Sequence, residues 1–392
     1  MGLRKFLDKI KPSFQEGGKL HAFRSVFDGF ETFMFVPNET AKAKGAHIHD
    51  AIDSKRIMSF VVIALMPALL FGMYNVGYWH NIANGVAEPQ FWTSFWYGFL
   101  AVLPKIAVSY IVGLGIEFTV AQWKGEEIHE GFLVSGMIIP MIVPINCPLW
   151  IIAVATAFAV IFAKEIFGGT GMNIFNVALV TRAFLFFSYP STMSGDKVWV
   201  NQNYMDCITG VSGNVDAFTM ATPLGELGAG NAVQTDFMST ITGLMPGSIG
   251  ETSVIAIALG AILLIGTGVA SWKTMLSVFA GGALMAFLLK YNGQEGLNFP
   301  WYEHLTVGGF CFGAVFMATD PVTSARTEAG KWVYGFLIGV MAIIIRVLNP
   351  GYPEGMMLAI LLMNLFAPLI DYCVIQRNIN KRAKRAIKVK ED

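Results

Sequence analysis

Apolar runs long enough to cross a bilayer recur along most of this chain, and shorter polar stretches separate them. Each run holds about twenty residues, the length a helix needs to span hydrocarbon. They predict ten spans, at about 56–79, 92–119, 131–146, 148–167, 173–190, 253–270, 273–290, 304–319, 331–348 and 355–375. The expected fold class is an all-α integral membrane protein. Two regions also resemble each other: EGFLVSGMIIPMIVP (130–144) with its continuation 148–179, and GGFCFGAVFMATDPVT (308–323) with 330–361. Each copy has a Gly-Phe-led segment stopped at proline, a long apolar helix, a Gly/Pro-rich break and another helix. Equivalent spans five apart run in opposite directions, so the pattern predicts two inverted five-helix repeats with broken helices, and such breaks point to a midplane site. The expected organisation is an N-terminal segment (1–55), a first repeat (56–190), a polar loop (191–252), a second repeat (253–375) and a basic tail (376–392).

Charge orients these spans. The first 56 residues carry ten Lys or Arg, and the tail from Arg377 to Lys390 carries seven, so the positive-inside rule puts both termini in the cytoplasm. The loop 191–252 has one cation, Lys197, against six acids and belongs on the outer face. The opening MGLRKFLDKIKPSF is basic and amphipathic but lacks the apolar core and cleavage site of a signal peptide. With 14% charged residues and zero net charge, the chain makes no case for binding nucleic acid. Cys147, Cys207, Cys311 and Cys373 lie far apart and suggest neither a disulfide framework nor a metal cluster.

Five stretches hold candidate chemistry. In DAFTMAT (216–222), Thr222 offers a hydroxyl beside small Ala221, with Asp216 and Thr219 placed to fix the loop; such residues also favour ordinary turns. In 168–187, three glycines precede Asn173 and Asn176, which are three apart and so expected on one helix face, and Arg182 is a charge at membrane depth. In 310–325, Asp320 ends an apolar segment, and Phe312 and Phe316 could narrow a hydrated path or simply pack. In IVGLGIEF (111–118), Glu117 follows Gly113 and Gly115, a set that suits a flat ring or an interfacial acid. Near the end, Glu354 and Asp371 are candidates for steering a hard cation through oxygen ligands. The scrap GELGAG (225–230) lacks a strand-turn-helix context, and no segment suggests an NADH site.

Several longer blocks carry a family resemblance: the N-terminal segment 17–58, and SGDKVW, MPGSIGE, FMATDPV and NLFAPLID. With the D-x-x-[ST]-x-A-T spacing of 216–222, they resemble the B subunits of sodium-pumping NADH:quinone oxidoreductases (Nqr). The runner-up is the shorter, homologous D subunit of Rnf complexes. The resemblance implies a ten-helix translocase component of a bacterial inner membrane, with other Nqr subunits as partners, passing electrons to ubiquinone while Na+ crosses the bilayer. It implies FMN joined through its phosphate to Thr222 by a flavin transferase on the outer, periplasmic side. It places non-covalent riboflavin beside Asn173, Asn176 and Asp320, and ubiquinone at Gly113, Gly115 and Glu117. Two departures stand out. Met220 occupies a position where the family usually has glycine, and Gly-Leu-Gly replaces adjacent glycines. From a different class, a non-redox solute channel on the same repeat would need a polar pore but no flavinylated threonine.

Overall fold

The computed structural model describes residues 2–14, 18, 20, 23–35, 54–125, 131–210, 220–228, 235–291, 300–349, 351 and 354–391, and all regular structure among them is helical. Two amphipathic helices come first, α1 (Gly2–Ile10) and α2 (Arg24–Met34). The apolar part opens with α3 (Ser54–Ala83), α4 (Phe91–Lys124) and a short α5 (Phe132–Met141). Next come α6 (Leu149–Ala159), which runs on as a π-helical segment over Val160–Glu165, and α7 (Val177–Ser188). Four small helices occupy the polar stretch: α8 (Pro190–Met193), α9 (Asp206–Thr209), α10 (Pro223–Gly228) and α11 (Phe237–Thr242). The chain then forms α12 (Val254–Gly266), α13 (Trp272–Tyr291), α14 (Phe310–Phe312) with a π-helical continuation over Gly313–Met317, α15 (Glu328–Leu348) and α16 (Met356–Glu391).

A helix stands in each expected apolar run, but among the described residues only five are long and apolar enough to cross a membrane: Lys55–Ala83, Phe91–Lys124, Trp272–Lys290, Glu328–Leu348 and Met356–Arg385. The others fall short for local reasons. At 10 residues, α5 rises only about 15 Å of the roughly 30 Å of hydrocarbon. It carries Pro140 in its last turn, and proline supplies no amide to continue the ladder. The run expected at 304–319 starts with a single 3-10 turn at Glu303–Leu305 and is α-helical only from Phe310, because Gly308 and Gly309 both sit at φ 67°, in the left-handed region. The run expected from 173 begins at Val177.

Small residues set how closely the long helices approach. A Cβ added at Gly77 would strike the Ser94 carbonyl, and one at Gly98 the Met73 carbonyl, which locks α3 against α4. The α13–α15 contact is built alike, with Gly281 under Phe336 and Gly339 under Val278. Where lipid surrounds the helices, such backbone approach carries much of the packing. The α4–α5 contact and the α13–α14 contact share one further device. Phe132 lies over Gly113 and meets Tyr110 edge-on at 6.5 Å, while Phe310 lies over Gly282 and meets Phe279 at 5.6 Å.

This packing predicts the outcome of a simple pair of substitutions. Gly339→Ala should cost about 1–3 kcal/mol, the usual penalty for overpacking, because the neighbouring atom is backbone. Gly266→Ala meets open space and should be neutral. Thermal melting of the detergent-solubilised variants measures the difference.

Candidate functional site: two polar cavities at the helix breaks

The first cavity lies where the chain between α6 and α7 meets the chain after the α14 π-segment. Gly168, Gly169 and Gly171 adopt positive φ values of 113°, 92° and 91° and turn the backbone away from a helix. Asn176 then caps α7, its Oδ1 accepting from the amides of Ala178 (3.0 Å) and Leu179 (3.3 Å). Its Nδ2 donates to Asp320 Oδ2 at 3.2 Å. The same oxygen accepts from Thr323 Oγ1 (3.0 Å), and Oδ1 accepts from the Val322 amide (3.1 Å). Asn173 donates to the Phe175 carbonyl at 3.0 Å.

These residues wall a cavity of about 80 Å³, shared with Lys164, Thr170 and Phe316. One expectation is corrected here. Asn173 and Asn176 do not share a helix face, since both precede α7; the glycine turn nevertheless brings both to the same cavity. Phe312 is fully buried, with its ring 5.0 Å from that of Phe316, and of the two only Phe316 reaches the wall.

The second cavity, about 370 Å³, gathers the other end of α7 and the segments that lead into α12, α14 and α16. Thr222 is on its wall. The Thr222 hydroxyl accepts from the Gly225 amide at 3.1 Å and so caps α10. Ala221 precedes it without lining the cavity. Asp216 and Thr219 lie outside the described residues. Met220 is accounted for: its side chain packs on the Val198–Trp199–Val200 cluster, and its amide donates to the Asp196 carbonyl at 3.1 Å. Glycine could make the hydrogen bond but not the apolar contact.

Glu251 and Glu354 share this wall with Thr222, and buried Arg182 behind them pairs with Glu251 at 2.6 Å and also with Glu354. Nothing in the sequence pattern singled out Glu251, which looks there like the last acid of a loop. Its signal was position: it stands immediately before the apolar run of α12. The two cavities sit at opposite ends of α7, which gives Val177 to the first and Phe186 to the second, and at opposite ends of α12, which gives Leu264 to the first while Glu251 and Thr252 just ahead of it line the second.

Glu117 is buried on α4 and pairs with Lys164, a partner that sequence reasoning missed because one lysine at the end of an apolar run resembles an interfacial charge. Gly113 faces inward, where the Phe132 ring takes the space above it; Gly115 faces out and meets nothing within 4 Å. Asp371 lines neither cavity. It accepts from the amides of Arg326 (2.7 Å) and Thr327 (2.9 Å) and from Thr327 Oγ1 (2.6 Å), which fastens α16 to the start of α15.

Residues 41–380 match the NQR2, RnfD, RnfE family. The chain belongs to that family. Among its relatives are proteins named as the B subunit of a Na(+)-translocating NADH-quinone reductase. That of Chromohalobacter salexigens is 43% identical, with 98% of this chain and 97% of the relative covered. That of Pseudoalteromonas atlantica is 41% identical (98% and 100%), and that of Stutzerimonas stutzeri 42% (99% and 100%). The family thus extends over both cavities, and every residue that lines them falls inside the matched range.

The Arg182 cluster carries its own prediction. Arg182→Leu leaves buried Glu251 and part-buried Glu354 without their shared cation, a change that costs on the order of 3 kcal/mol. The variant should melt markedly earlier in detergent, and adding Glu251→Gln should recover part of the loss.

Proposed function

We propose that this chain is the B-type membrane component of a sodium-pumping NADH:quinone oxidoreductase. The observation that carries the reading is the placement of Thr222. In a chain similar over nearly its whole length to subunits of that name, Thr222 lies on the wall of a cavity of about 370 Å³. In this reading the outer cavity receives FMN, joined to Thr222 through its phosphate by a flavin transferase at the periplasmic face. Its fit rests on a hydroxyl at a cavity wall, room of about 370 Å³, and small Ala221 and Gly225 beside the attachment point.

The inner cavity takes riboflavin. Asn173, Asn176, Asp320 and Lys164 form a polar set suited to the edge of its ring. The enclosed volume, about 80 Å³, holds that edge and leaves the rest of the ring to the cavity mouth. Asn176 spends its oxygen on the α7 cap, so its part is to donate and to position Asp320. Flavins, when bound, supply the exchange between electron carriers; the chain holds and orients them and keeps water away.

Ubiquinone belongs near Glu117, on the far side of Lys164, with Gly115 on the open face of the same stretch of α4 and with Gly113 seating the buried Phe132 ring behind it. For the Na+ path we take Phe312, Phe316, Glu354 and Asp371. Glu354 acts at the outer cavity beside Arg182, and Asp371 acts through the loop it fastens. The two-repeat, ten-helix arrangement is supported by the matched trios Tyr110–Gly113–Phe132 and Phe279–Gly282–Phe310, and by the opposed ends at which the two cavities sit. Cytoplasmic termini and other Nqr subunits complete the picture of an inner-membrane translocase.

The test is flavin fluorescence on a denaturing gel. The chain produced with the flavin transferase should carry fluorescence that survives denaturation, and Thr222→Val should abolish it. Wild-type protein without the signal, or the variant with it, would overturn the assignment and favour a channel without redox function.

A further inference from the structure

Among the described residues, four buried cations stand within the apolar helices: Lys105, Lys164, Arg182 and Arg346. Three have settled roles. Lys105 donates to the carbonyls of Cys147 (2.5 Å) and Cys207 (3.0 Å), tying α4 to the loop before α6 and to α9. Arg182 holds Glu251 and Glu354. Arg346 donates to three carbonyls, those of His304 (2.5 Å), Val307 (3.1 Å) and Glu354 (3.3 Å). It is a staple for the second helix break.

Lys164 stands at the position matching Arg346, each sixteen residues after the start of its block, 148–179 and 330–361. Its surroundings differ. It is carried on the π-helical segment Val160–Glu165, and such segments occur frequently at functional sites. The side chain lines the inner cavity, while the ammonium pairs with Glu117, and both residues are more than nine-tenths buried. Glu117 Oε2 has no hydrogen-bond partner among the described residues. An ammonium has three donors in any direction, whereas a guanidinium fork is fixed, so a lysine can serve two neighbours in turn.

We propose that Lys164 is a shared counter-ion between Glu117 and the group held in the inner cavity. It offsets negative charge on either side, so the charge state of one is felt by the other. This rests on the reading of that cavity as a flavin site. It makes Lys164 a positioning residue and gives the quinone end an electrostatic link to the flavin.

The sign of the effect provides the test. In the intact complex, the midpoint potential of the non-covalent flavin is measured by spectroelectrochemical titration, with the covalent flavin as internal reference. Lys164→Gln removes a positive charge and should disfavour the reduced, more negative form. Glu117→Gln removes a negative charge and should favour it. Each single variant should change the oxidised-to-reduced ratio at a fixed potential by about tenfold, in opposite directions, as expected for a nearby buried charge. The double variant should return close to wild type, and Lys164→Arg should retain the wild-type value. A purely structural pair would shift both single variants the same way or leave the potential unmoved, and either result overturns the proposal. If Lys164→Gln fails to assemble, the Glu117→Gln, Lys164→Arg and uncharged double variants still decide. Wild-type complex lacking non-covalent flavin would instead overturn the reading of the cavity.

Discussion

The hydrogen bond from Asn176 to Asp320 is the point on which the architecture turns. Helices interrupted within a bilayer expose amides and carbonyls that lipid cannot satisfy, so every break must be closed by protein or open on a hydrated cavity. Asn176 closes the first break by capping α7, and its remaining donor reaches Asp320. Asp320 closes the second by holding Val322 and Thr323. Each interruption thereby completes the other, and the groups that close the two breaks are the same ones that put polar atoms on the wall of an otherwise largely apolar cavity.

The Thr222 cavity obeys the same constraint with charge in place of amides. Arg182 sits six residues into α7, with Glu251 leading into α12 and Glu354 leading into α16. A guanidinium at that depth is tolerable only with partners, and the partners come from the segments whose ends form the cavity. One short helix, α7, therefore anchors both sites: its capped start helps build the Asn173–Asp320 cavity, and its buried cation and far end help build the Thr222 cavity. That economy explains why α7 need not span a membrane by itself.

Much of this was legible in the sequence, and the misses have physical causes. Hydropathy located the apolar helices because burial in lipid demands apolar composition. It overestimated α5 and α14, because composition records where a segment lies and not where Pro140 or Gly308 ends its ladder. Asn173, Asn176 and Asp320 were expected around one site and do line one cavity, although the helical spacing used to pair the asparagines does not exist. Lys164 and Glu251 were missed because a single charge at the end of an apolar run looks the same whether it meets water or a buried partner; only the fold supplies Glu117 and Arg182. Met220 was opaque for a similar reason, since its partner Trp199 is distant in sequence and adjacent in space.

The central proposal is that the two cavities open toward opposite faces of the membrane, with Thr222 outside and Asn173 inside. Labelling with a membrane-impermeant maleimide tests it directly in a Cys373→Ser background, since Cys147, Cys207 and Cys311 are buried. The account predicts that Thr222→Cys is labelled in sealed, right-side-out vesicles and that Asn173→Cys is labelled only in inverted ones. Labelling of both positions from the same side would contradict it.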